Sequence, residues 1–249
     1  MLTNEEKLAL LAKETTDRRW PPRRPVDAAT LIVLDREGPK PKVLMGRRHP
    51  NLKFMPNVFV FPGGRAEKSD AAVPVGTELR PPVVEKLVAR TLRGNAARAR
   101  RLALASIRET FEETGLVIGK PGTPPKAAPA SGPWADFLAT GHLPDLAAIH
   151  YLGRAITPPN RPKRFDTRFF VVDASAVQHT VENVVGPESE LIELAWLTLA
   201  ETISMPLPSI TRIMLSELHS AVEEKTLGTS APLPFFYERH RSRLRDLIE

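Results

Sequence analysis

The chain has 249 residues, 42% of them hydrophobic, enough to bury a sizeable core, and it lacks cysteine, which excludes disulfides, thiolate zinc sites and a cysteine nucleophile. Its six histidines are scattered without paired spacing, so a histidine-based metal centre is not expected, and no apolar run approaches the roughly 18 residues that a membrane helix needs. A net charge of +6 invites a nucleic-acid reading, but the arginines lack interleaved aromatics, and binding a polyanionic small molecule explains the charge as well.

Residues 1–25 read as a short helix followed by an extended Pro/Arg arm, and 26–249 as one domain. The first residues carry neither a basic n-region nor a cleavage site, which makes a cytoplasmic location the expectation. Runs 28–34 and 42–48 are strand-like and flank the turn Asp35-Arg36-Glu37-Gly38-Pro39, as in a hairpin. Run 58–61 continues the sheet and breaks at Pro62-Gly63-Gly64, where two glycines let the backbone take φ > 0 and turn its amides toward a ligand. Residues 69–94 hold a short helix at 82–92. Asn95 can cap the next, a long helix over 96–114 that Gly115 ends. Beyond it lie a Pro/Ala/Gly linker at 119–133, strands at 150–156, 164–173 and 191–197, and helices at 209–224 and 235–249.

The last turn of the long helix concentrates acid. In Arg108-Glu109-Thr110-Phe111-Glu112-Glu113-Thr114-Gly115, Glu109 faces both Glu112 and Glu113 at i+3 and i+4. At about 5 Å and an effective dielectric of about 20 each facing pair costs on the order of 3 kcal/mol. The helix dipole disfavours negative charge at this end as well. A bound divalent cation is the best reason to keep such a cluster, and oxygen donors suit magnesium or manganese.

Joined to Pro62-Gly63-Gly64, this run resembles the Nudix hydrolase superfamily, whose box reads Gly, five residues, Glu, seven residues, Arg-Glu-apolar-x-Glu-Glu-x-Gly-apolar. The second half matches from Arg108 to Leu116, with Thr110 at the first apolar position. Opened at Gly64, the box carries about 30 extra residues, at about 65–95. Glu67 and Asp70 are then weak candidates for the first box Glu, and neither receives a role. Val43-Leu44-Met45-Gly46-Arg47-Arg48, Phe54-Met55-Pro56-Asn57, Ile156-Thr157-Pro158-Pro159 and Arg164-Phe165-Asp166-Thr167-Arg168-Phe169-Phe170 are similar to the interrupted-box branch that includes coenzyme A diphosphatases. The implied fold is an α/β/α sandwich with a mixed β-sheet and a helical insertion inside the box.

By this resemblance Glu109, Glu112 and Glu113 hold one to three Mg²⁺ or Mn²⁺ ions, and Arg108 orients them. Glu190, in Gly186-Pro187-Glu188-Ser189-Glu190-Leu191, is the best-placed general base, with Glu188 and Glu193 as rivals. Gly63, Gly64, Arg47, Arg164 and Arg168 are the substrate-binding candidates. Alternation on one strand puts Arg164, Asp166 and Arg168 on one face, which either meets solvent or clamps a phosphate. Arg47 and Arg48 fall on opposite faces, so one of them can do likewise. Arg90, Arg93, Arg98, Arg100 and Arg101 read as solvated charge, with reception of a peripheral phosphate as the alternative.

The expected activity is metal-dependent hydrolysis of a nucleoside diphosphate linked to another moiety, with coenzyme A or an acyl derivative favoured. ADP-ribose, a dinucleotide or capped RNA is the alternative substrate, and a non-catalytic nucleotide sensor the alternative function. A nucleotide-diphosphate small molecule is the expected partner, neither membrane nor nucleic acid is expected, and a homodimer is left open.

Overall fold

The computed structural model describes residues 1–13 and 20–249, so part of the expected N-terminal arm lies outside the described residues. After helix α1 (Asn4–Lys13), strand β1 (Val26–Asp35) reads as an almost unbroken apolar run because both of its faces are covered. Ala29, Leu31 and Val33 enter one core, and Ile32 and Leu34 enter the other. β2 (Lys42–Arg48) returns antiparallel to β1, pairing Leu34 with Val43, as the hairpin reading expects. β3 (Phe59–Val60) pairs with β2, and β4 (Gly63–Arg65) folds back antiparallel along the start of β1.

The insertion follows, with a short 3-10 turn at Ser69–Ala71 and helix α2 (Pro81–Val88), which takes proline in its first turn where no N–H is needed. Helix α3 (Ala96–Thr114) has the expected bounds. The Asn95 side chain accepts from the Arg98 N–H at 2.8 Å, and Gly115 closes the helix at φ 76° while donating to Phe111 O. β5 (Leu116–Pro121) takes up the start of the expected linker, followed by α4 (Pro133–Ala139), β6 (His142–Pro144), β7 (His150–Ile156), β8 (Phe165–Asp173), β9 (Val177–Thr180), β10 (Leu191–Thr198) and α5 (Ser209–Glu223).

The chain end corrects the sequence reading. Residues expected to be helical form a β-hairpin, β11 (Leu233–Arg239) and β12 (Ser242–Ile248), joined by His240 and Arg241 at φ 50° and 65°. A two-residue turn with both φ positive matches the right-handed twist of its strands. It normally uses Asn-Gly, so a His-Arg turn gives no sequence signal.

The main sheet runs β10-β2-β1-β8-β7-β11-β12, with β1 parallel to β8 and β7 parallel to β11 among otherwise antiparallel pairs. On one face Leu102, Ile107 and Phe111 of α3 pack with Leu87 of α2 and Phe137 of α4. On the other, Ile213, Met214 and Leu218 of α5 pack with Met45, Phe61 and Phe236. The result is the expected α/β/α sandwich on a mixed sheet. Among the described residues no helix is long and apolar enough to cross a membrane.

Candidate active site

Because β4 lies against β1, Gly63 and Gly64 sit directly opposite the last turns of α3. Neither has the positive φ that the sequence reading expects. Both are required for space instead: a Cβ on Gly63 would lie 2.6 Å from Ala29 O, and one on Gly64 would lie 2.4 Å from Glu109 Cδ. With no side chain in the way, the Gly63 N–H donates to Glu113 Oε2 at 3.0 Å and the Glu109 carboxylate rests on Gly64.

Arg108 organises the acids from beneath. It is 4% exposed, and its Nε and Nη2 donate to the two oxygens of Asp70 at 2.7 and 3.2 Å. Nη2 also reaches Arg65 O at 2.8 Å, while Nη1 donates to Glu109 Oε1 at 2.9 Å and to Glu112 Oε1 at 2.7 Å. Burial alone would lower the affinity of this guanidinium for its proton, and the bonds to Asp70 and Glu112 more than offset it, holding the pKa above the ordinary value. Asp70 is itself fully buried and accepts from Trp134 Nε1 at 2.9 Å and from the Glu67 N–H at 2.7 Å.

Glu109 and Glu113 share one cleft with Glu67, Glu190, Arg48 and Lys163. Burial pushes the Glu109 carboxyl up to about 7; Arg108 opposes the shift and Glu112 reinforces it. Burial likewise raises Glu113 well above the ordinary carboxylate range, helped by the charge on Glu190. Glu190 Oε1 accepts from Arg48 Nη1 at 2.7 Å, and Arg48 donates also to the carbonyls of Phe54 and Met55.

Burial makes both neighbouring carboxyls costly to ionise, and a cation beside them would offset that cost. An all-oxygen donor set fits a hard divalent cation. Glu109 and Glu113 stand inside the cleft, whereas Glu112 is drawn to Arg108, and among the described residues no three acids converge closely enough to hold an ion as they stand. Arg108 Nη1 is shared by Glu109 and Glu112, while Glu113 takes the Gly63 N–H, so the three acids are held by two donors on different sides of the helix end.

No protein-family model matches the chain. Putative nudix hydrolase 7 of Caenorhabditis elegans is 28% identical over 177 residues, which are 65% of this chain and 48% of that protein, so the chain spans about half the length of this curated relative. The crystal structure of a NUDIX hydrolase from Alicyclobacillus acidocaldarius matches with a TM-score of 0.56 and 28% identity, covering 78% of this chain and 90% of that one. The fold is a Nudix fold. The two likenesses together support the Nudix hydrolase superfamily that the sequence resembles.

Asp70 lies six positions after Gly64, where a box opened at Gly64 would have its first Glu, and it pairs with Arg108 at 2.7 Å. The sequence reading names Asp70 beside Glu67 as a candidate for that slot but gives it no role; its partner Arg108 is what the structure adds. Trp134, which caps Asp70 from α4, had no signal in the sequence.

Three substrate-binding candidates are corrected. Arg47 points away from the cleft and pairs with Glu193 at 2.8 Å; Arg48, on the opposite face of β2, lines the cleft instead. Arg164 donates to the carbonyls of Thr157 and Arg23, outside the cleft. Arg168 is completely buried, paired with Asp166 at 2.8 Å and with Asp27 at 3.4 Å. The alternation along β8 is as read, but the charged face turns inward and Phe165 and Thr167 line the cleft. The arginines of the segment preceding α3 and of early α3 are engaged too: Arg98 and Arg101 with Asp27, Arg100 with Glu78 and Arg90 with Asp246.

Proposed function

We propose that the chain is a divalent-metal-dependent hydrolase of the phosphoanhydride bond in a nucleoside diphosphate linked to another moiety, with coenzyme A or an acyl derivative as the favoured substrate. The observation that carries the reading is the pair Glu109 and Glu113, seated against Gly63 and Gly64 and facing Glu190, Arg48 and Lys163 across one cleft.

Glu109, Glu112 and Glu113 would hold Mg²⁺ or Mn²⁺, which when bound neutralises phosphate oxygens and raises the acidity of water. Arg108, fixed by Asp70, holds the Glu109 and Glu112 carboxylates through one nitrogen, Nη1, and so keeps Glu112 within reach of the acids in the cleft. Arg48 and Lys163 bring positive charge to the opposite wall, where a diphosphate would lie. Glu190 has one oxygen occupied by Arg48, which orients the carboxylate and leaves Oε2 to take a proton from the attacking water. Water adds to one phosphorus in line, the bridging P–O bond breaks, and two phosphate monoesters leave.

The test is a panel of coenzyme A, an acyl-coenzyme A, ADP-ribose, a dinucleotide and capped RNA, assayed with Mg²⁺ and Mn²⁺ and read by product mass. Coenzyme A should yield a phosphopantetheine fragment. Glu112→Gln, Glu113→Gln and Glu190→Gln should each lower kcat by a factor of at least about 100. An unchanged rate in Glu190→Gln removes that residue as the base. Tight nucleotide binding without turnover in either metal replaces the hydrolase by a sensor.

A further inference from the structure

The cleft continues past the acids. Phe165, Thr167 and Phe169 share one face of β8 and follow one another at about 6.6 Å intervals. Phe165 and Thr167 line the carboxylate cleft, and Thr167 and Phe169 line a second cavity that opens beside it. Phe54 is common to both as well. The second cavity is walled by Leu11 of α1, Ile156 of β7, Ile210 of α5 and Phe236 of β11.

Three of the four polar side chains on that wall are already engaged, Thr167 at the junction with the carboxylate cleft being the fourth. Thr157 Oγ1 accepts from the Phe165 N–H at 3.1 Å, the Tyr237 hydroxyl donates to Asp246 at 2.8 Å, and Arg243 pairs with Glu238 at 2.8 Å. A sugar or the edge of a nucleobase entering here would give up more hydrogen bonds to water than the Thr167 hydroxyl could replace, whereas an apolar group gains by leaving water. The partition between the two spaces is fixed: Arg48 binds the carbonyls of Phe54 and Met55 with the same guanidinium that holds Glu190, and Lys163 Nζ lies 5.4 Å from the Phe54 ring centroid.

We infer that this cavity receives an apolar, alkyl-type group that the substrate carries close to its diphosphate, within the roughly 13 Å that β8 covers between Phe165 and Phe169. The inference rests on the hydrolase reading and adds a selectivity to it: alkyl-bearing diphosphates are preferred over those whose second moiety is a bare sugar. Leu11, Ile210 and Phe169 are the specificity-determining residues.

A series of ADP β-alkyl esters from methyl to octyl, assayed with Mn²⁺ beside ADP-ribose, tests it. kcat/KM should rise by up to about fourfold per added methylene until the cavity is full, and the longer esters should exceed ADP-ribose. Ile210→Asn and Leu11→Asn, on different helices, should each flatten the gradient, with circular dichroism showing which variant is folded. Turnover that does not depend on chain length, ADP-ribose outpacing every ester, or a gradient intact in a folded variant overturns the apolar subsite and leaves the hydrolase reading standing. No cleavage of any ester or of any nucleoside diphosphate in the wider panel overturns both.

Discussion

Glu109 can rest where it does because residue 64 has no side chain. A Cβ there would overlap the carboxylate at 2.4 to 2.5 Å, so Gly64 is a spatial requirement of the acid and not of the turn. In Gly64→Ala the backbone has no positive φ to lose, and the obstructing group is the mobile end of a glutamate, so the fold should tolerate the methyl by rotating Glu109 away. Mn²⁺ affinity measured by calorimetry should then fall at least about tenfold, equivalent to about 1.4 kcal/mol, while the melting temperature moves by only a few degrees. Undiminished affinity in the variant would remove Glu109 from the ion site. Asp70 plays a complementary part from below. It supplies two of the acceptors that keep Arg108 straight, so that Nη1 faces the acids.

At the scale of elements, the ends of α3 set where the acids lie. Gly115 combines φ 76° with a Cβ direction that points 2.2 Å from Val181 O, and its own carbonyl accepts from the Val181 N–H at 2.8 Å. Gly115→Ala therefore meets a left-handed backbone penalty of about 1 to 2 kcal/mol and an immovable main-chain atom. It should cost more in urea denaturation than Asn95→Ala, whose lost cap is worth about 1 kcal/mol. Equal losses would mean that the β9 side yields. These helix signals were legible because caps and stops are local, and the bounds of α3, β2 and β7 follow from them and from hydrophobic period alone. Facing is not local. The period of two along β8 showed that Arg164, Asp166 and Arg168 share a side, but which side meets the cleft depends on Asp27 across β1 and on Arg154 across β7. The terminal hairpin was hidden for a related reason, since its Arg- and Leu-rich second strand favours helix until it pairs with Phe235, Phe236 and Tyr237.

Across the whole molecule, much of the basic excess is structural. Arg98, Arg101 and Arg168 converge on Asp27, and Arg154 and Arg168 on Asp166. Asp27 is consequently held below the usual carboxylate range: burial would raise it, and the hydrogen bond and charge of Arg98, together with Arg168 and Arg101, win. The acids of the cleft have the opposite linkage, and the sign follows from where each state keeps its proton. Glu109 titrates at about 7 in the fold against an ordinary 4.5, so between these values the native state keeps a proton that the unfolded chain has released. Its contribution to stability therefore declines as pH rises through that window, by a total on the order of 3 kcal/mol, and is level above it. Glu113 acts with the same sign. Divalent cations require the ionised carboxylates, so their stabilisation should grow over the same range. Chelator-treated protein, unfolded in urea from pH 5 to 8, should lose stability relative to Glu109→Gln as the pH rises, and Mn²⁺ should restore more at pH 8 than at pH 6. Parallel pH profiles for the two proteins, with an equal Mn²⁺ effect at both pH values, would show that the cleft carboxyls ionise as freely as in the unfolded chain and that no ion site draws on them.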